Sequence, residues 1–194
     1  MNSLDLISHI NNLTSGDDQV AENAANAITA LGESALPALF ELLGSDDPEA
    51  RWWALRAAAG IPHPMSQQHL QSFLSDPDPE MRKCAALGLG IQPCSEAIHD
   101  LVKMLDDEDR LVARISGDTL IATGSQAVPD LINTLEKGSP AAQIEAARSL
   151  ALIGDPKAIP ALFDAWQDGS SLIQYWVEEG FERMGVGMQF FSPD

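Results

Sequence analysis

Apolar and small residues return along this chain at helical spacing, and the stretches that carry them return at a fixed distance. Ala24 and Ile28, Ala54 and Ala58, Ala85 and Leu89, Ser116 and Leu120, Ala146 and Leu150, and Val177 and Phe181 are pairs four residues apart. Each pair therefore lies on one face of a helix. Ala57, Gly88, Ser149 and Gly180 add small residues on the same side, which predicts close approach between neighbouring helices. Every stretch ends at a helix-stopping residue: Gly32, Pro62, Pro93, Gly124, Gly154 and Gly185 recur every 30 or 31 residues. A period of that length marks one small unit copied several times, which buries its apolar face only by stacking on its neighbours.

A second, shorter apolar set follows each of the first five stoppers. The sets are Leu36, Leu39, Phe40 and Leu43; Leu70, Phe73 and Leu74; Ile98, Leu101, Met104 and Leu105; Val128, Leu131, Ile132 and Leu135; and Ile159, Leu162, Phe163 and Trp166. Pro37, Pro129 and Pro160 fall in the first turn of three of these helices, where proline is tolerated. Helix starts are written as Asp47-Pro48-Glu49, Asp78-Pro79-Glu80 and Ser139-Pro140: a capping side chain, then proline where no amide hydrogen is needed. Leu4, Ile7, Ile10 and Leu13 predict one more helix ahead of the repeats.

The pattern predicts an all-α protein: a right-handed α-solenoid of five helix pairs with single terminal helices, in one domain over residues 1–194. The predicted bounds are 3–14 for the N-terminal helix and 170–184 for the C-terminal one. The repeats run over 17–44, 46–75, 78–106, 108–136 and 139–168, and the tail over 185–194. Ser116, Gly117 and Thr119 make the fourth repeat the least regular, and it is expected to be the softest joint.

Asp47-Pro48-Glu49-Ala50-Arg51, Asp78-Pro79-Glu80-Met81-Arg82 and the run Gly154 to Leu162 resemble HEAT-like repeats, most of all the short type named after the phycobilin lyases. The resemblance covers roughly residues 17–185. It implies a HEAT/armadillo-like superhelix and, for function, a non-catalytic interaction scaffold, adaptor or assembly factor. The alternative it implies is a phycobilin lyase or chromophore-handling factor. The recurring Arg51 and Arg82 are replaced by Ala21, Ala113 and Gln143 at matching positions, which argues against a functional row of arginines.

Charge narrows the partner. The net charge is −18, with only 11 Lys and Arg, and residues 1–50 hold nine Asp or Glu and no Lys or Arg. Such a surface repels phosphate backbones and anionic lipid, so nucleic acid and membrane are excluded as expected partners. The second helices are expected to line a concave binding face, with Glu41, Gln68, Gln71, Asp100, Asp130, Asn133 and Asp164 as the residues that would steer a basic segment of a protein partner. The competing reading of those residues is an ordinary solvated face. Trp52-Trp53 cannot both point into one core, because adjacent helix positions lie about 100° apart. Trp52 is therefore the candidate aromatic anchor, with Arg56 one turn later as its candidate cation–π partner, while Trp53 and Trp176 are expected in the packing between repeats. Phe190 and Phe191 in the apolar tail either cap the end of the stack or contact a partner.

Other chemistry finds little purchase. Asp106-Asp107-Glu108-Asp109 lacks the calcium-loop pattern and lies where a helix start uses acids. His9, His63, His69 and His99 are scattered, Cys84 and Cys94 form no CxxC pair, and no nucleophile elbow or nucleotide loop is present. The expectation is a protein with no catalytic residues, no metal and no cofactor, a monomer or weak dimer. The start of the chain lacks a secretory pattern, which leads to an expected cytoplasmic location.

Overall fold

The computed structural model describes residues 3–186, and among them every regular element is an α-helix or a short 3-10 turn. The helices fall into two compact units that divide between Gln92 and Pro93. The first holds α1 (Ser3–Leu13), α2 (Asp18–Leu31), α3 (Leu36–Leu42), α4 (Pro48–Ala59), α5 (Pro64–Phe73) and α6 (Pro79–Ile91). The second holds α7 (Ile98–Lys103), α8 (Arg110–Thr123), α9 (Val128–Lys137), α10 (Pro140–Ile153), α11 (Ile159–Asp168) and α12 (Ser171–Arg183).

Local chemistry explains the helix ends. The carboxylates of Asp17, Asp47, Asp78 and Asp109 each accept a backbone N–H of the first turn of α2, α4, α6 and α8, at 2.8–3.0 Å. Ser139 and Ser170 cap α10 and α12 in the same way. Of the acids at 106–109, Asp109 caps α8, Asp107 accepts the Asp109 N–H at 2.8 Å, and Asp106 accepts from the Ser139 hydroxyl. At the other end, α10 stops where Gly154 adopts φ 67°, a left-handed conformation that side chains disfavour.

Packing follows the stripe. All six stripe pairs, from Ala24 and Ile28 to Val177 and Phe181, are buried. In the first unit α2 packs on α4 and α4 on α6, with α3 and α5 laid against that row; in the second, α8, α10 and α12 form the row and α7, α9 and α11 flank it. Each fully buried leucine contributes roughly 1.5–3 kcal/mol, so stacking rather than helix propensity holds each unit together. Two apolar residues depart from the predicted pattern. Ile7 is exposed because α1 packs chiefly on α2, and Phe163 is 38% exposed on α11.

One repeat position has a role that its residue types disguise. Arg51 donates to the Ser45 carbonyl at 3.1 Å, and Arg82 to the Asp76 and Pro77 carbonyls at 2.9 and 3.2 Å. At the equivalent position Gln143 donates to the Leu135 carbonyl at 3.0 Å and Gln174 to the Trp166 carbonyl at 3.2 Å. Arginine and glutamine are both long donors: the glutamines reach carbonyls in the last turn of the preceding helix, and the arginines reach carbonyls of the linker that follows it. The arginine row is a set of structural ties.

The small residues of the fourth repeat make room for a neighbouring side chain. Ser116, Gly117 and Thr119 are buried, and the small residues admit Arg148, which is 1% exposed. Its guanidinium meets Glu145 at 2.9 Å, Asp118 at 2.8 Å and the Arg114 carbonyl at 3.2 Å. A side chain at Gly117 would put its Cβ 2.8 Å from an Arg148 nitrogen, so glycine there makes room for the guanidinium between α8 and α10.

Candidate binding clefts

The residues expected to steer a partner lie on the second helices, as their spacing implies, but only part of the set gathers. In the first unit Glu41 and Gln68 are exposed on α3 and α5, and Gln71 is half-buried. In the second unit α7, α9 and α11 are successive neighbours, which places Asp100, Asp130, Asn133 and Asp164 along one row of helices. Two of these are engaged locally: Asp100 holds Lys103 at 2.9 Å, and Asn133 accepts from Lys137 at 2.9 Å. Phe190 and Phe191 lie outside the described residues.

Asp164 reaches a cleft. With Glu136 of α9 and Asp168 of α11 it lines a recess of about 310 Å³, whose walls also include Leu135, Gln143, Ala161, Ala165 and Ile173. No lysine or arginine lines it. Glu136 was not picked out by sequence reasoning, although it lies on α9 three residues beyond Asn133.

A larger cleft of about 640 Å³ opens in the first unit, on the other row of helices. It runs across the N-terminal turns of α2, α4 and α6, and its walls are Asp18, Gln19, Glu22, Pro48, Glu49, Asp78 and Glu80 around Trp52 and Trp53. The two indoles meet edge to face, with centroids 4.8 Å apart and planes at 86°. Trp53 is 5% exposed and belongs to the core, whereas Trp52 is half-buried. Arg56 pairs with Glu22 at 3.2 Å, a contact between neighbouring repeats that the spacing of these charges one repeat apart could have signalled.

The thiols offer no reactive centre. Burial pushes the Cys84 thiol up to about 12 from its ordinary 9.0, against the opposing pull of the Arg56 charge, and burial also raises Cys94. A thiol with a raised pKa stays protonated and is a poor nucleophile. With iodoacetamide at pH 8, Cys94 is expected to label slowly and Cys84 only on unfolding; mass spectrometry of the native protein showing Cys84 labelled first would contradict the burial. Because Cys84 keeps its proton more tightly folded than unfolded, its contribution to stability is complete below pH 9 and declines as pH rises from there toward 12.

Among the described residues no group of three or more His, Cys, Asp or Glu is placed to hold a metal ion, and no helix is long and apolar enough to cross a membrane.

Comparison with known proteins agrees with this architecture. No curated protein is significantly similar in sequence. The complex of CpcE and CpcF of phycocyanin lyase from Nostoc sp. PCC7120 is similar in structure, at 21% identity and TM-score 0.56, over 93% of this chain and 77% of that one. A designed armadillo repeat protein in complex with the peptide (KR)4 matches at 20% identity and TM-score 0.52, over 92% and 99% of the two chains. An engineered protein from the Northeast Structural Genomics Consortium matches at 24% identity and TM-score 0.53, over 96% and 98%. These likenesses establish an all-α repeat solenoid of the HEAT/armadillo type. The sequence model for HEAT repeats matches three overlapping segments, residues 7–72, 36–121 and 101–182, and so the chain belongs to the HEAT repeat family.

Proposed function

We propose that this protein is a non-catalytic interaction scaffold whose second-helix face receives a basic segment of a protein partner. The observation that carries the reading is the recess between α9 and α11. Glu136, Asp164 and Asp168 face one space there, and none of the three has a cationic partner among the described residues. An incoming lysine or arginine meets three carboxylates there without having to displace a cation held by the protein. Helices locked by stacking lose little conformational entropy when they bind. The designed armadillo protein in complex with (KR)4 is compatible with such a use of this fold, through likeness of fold alone.

The phycocyanin lyase likeness is of the same kind and carries no activity across. Tetrapyrrole propionates are anions, and both clefts are walled by carboxylates without lysine or arginine. Mixing the protein with a bilin is therefore expected to leave the visible spectrum unchanged; a shifted band would favour the chromophore-handling role.

The scaffold reading is tested by affinity purification at rising salt. Captured partners are expected to carry Lys/Arg-rich segments and to be released as screening increases. D164N combined with D168N is expected to reduce capture by about tenfold, the loss of roughly 1.4 kcal/mol. Capture unaffected by both salt and the double substitution would overturn the steering role.

A further inference from the structure

We infer that the cleft at Trp52 is a second, separate site, built to seat an arginine side chain of a peptide. It lies on the α2–α4–α6 row of the first unit and does not depend on the second-helix face. Its chemistry combines an aromatic surface with uncommitted charge. Glu22 is already paired with Arg56, Glu80 with Lys83, and Asp78 is engaged in capping α6. Asp18 and Glu49, exposed on adjacent helices beside Trp52, have no side-chain partner among the described residues.

Their placement in the first turns of α2 and α4 already suits the helix dipoles, and that duty alone would explain acids here. It does not explain the indole. Trp52 is half-buried beside them, in a cleft of about 640 Å³, and its Nε1–H donates to no group among the described residues. By contrast, the Nε1–H of Trp166 is spent on Glu178 at 3.3 Å. A large aromatic left partly in water, with flanking carboxylates, is the arrangement that favours a cation on its face.

The shape selects the kind of cation. A compact or methylated ammonium is held best when several rings enclose it. Here Trp53 is 5% exposed and turned edge-on to Trp52, so a ligand meets chiefly one indole. A guanidinium stacks flat on a single ring while its N–H edge reaches carboxylates at the rim, which the ammonium of lysine cannot do. The α2 and α4 dipoles oppose a cation, and Asp18 and Glu49 outweigh them because a full charge exceeds the half charge of a helix end.

The test uses the full chain and short blocked peptides that carry paired arginines, paired lysines or paired trimethyl-lysines. Calorimetry gives affinities, and the indole N–H resonances report the position. The arginine peptide is expected to bind in low salt, to move the Trp52 signal, and to bind several-fold tighter than the lysine or trimethyl-lysine peptide. D18N with E49Q, both at exposed first-turn positions, is expected to weaken it about fivefold with the helical circular-dichroism signal retained, and W52A at least as much. The D164N/D168N variant is expected to leave this binding unchanged, so loss of the second-helix site and loss of this one are read separately. Absence of binding, an unmoved Trp52 signal, equal affinity for the lysine peptide, tighter binding of the trimethyl-lysine peptide, or sensitivity only to D164N/D168N would each overturn the assignment.

Discussion

Arg148→Ala is expected to lower the unfolding free energy by about 3–5 kcal/mol, measured by urea denaturation followed by circular dichroism. The guanidinium is 1% exposed and serves Glu145, Asp118 and the Arg114 carbonyl together. Asp118 is largely exposed, so its share is screened and small. The penalty comes from Glu145, whose carboxylate stays buried on α10 with no counter-charge once the arginine is gone. Arg148→Met with Glu145→Leu removes both charges and is expected to recover most of the loss, because an apolar pair leaves nothing stranded. The cycle of single and double substitutions then isolates the coupling. A loss below about 1 kcal/mol for the single variant would mean that water reaches Glu145 and that the seam is looser than its burial indicates.

Gly88→Val is expected to destabilise the first unit by about 3 kcal/mol or more. A Cβ at this position would stand 2.7 Å from the Leu70 Cδ2 and 2.8 Å from the Ala59 Cβ. Leucine can swing its end away, but the Ala59 Cβ is fixed to the backbone of α4, so the α4–α6 seam itself must open. Gly88→Ala carries the same Cβ and is expected to destabilise as well, by less than valine, with a helix-propensity gain of about 1 kcal/mol as a partial offset. Valine has no such large compensation. Because α4 and α6 carry the walls of the Trp52 cleft, Gly88→Val is also expected to weaken the arginine peptide, whereas an unchanged affinity and midpoint would show that the seam absorbs the extra methyl groups.

The repeat was legible in the chain because its signals are local. A Gly or Pro stop, an aspartate before a proline and apolar residues four apart act within one or two helical turns. They therefore specify α2, α4, α6, α8, α10 and α12 whatever else the chain does. Even so, Ile7 and Phe163 matched the apolar spacing and remain exposed. Spacing says which side of a helix is apolar but not whether a neighbour covers it.

What only the tertiary structure decided are contacts between residues a repeat apart. The irregular Ser116-Gly117 step looks weak when read alone; beside α10 it is the room into which Arg148 fits. Arg51, Arg82, Gln143 and Gln174 look unrelated until each is seen to reach back to a carbonyl near the junction with the preceding helix. Trp52 stood out as an anchor on angular grounds, but its surroundings come from three helices, with Asp18, Glu49 and Glu80 supplied by successive repeats. Helix periodicity is an intrinsic property of a short segment and survives in sequence. The meeting of side chains about 30 residues apart depends on how helices stack, and that is settled only when the apolar faces are buried.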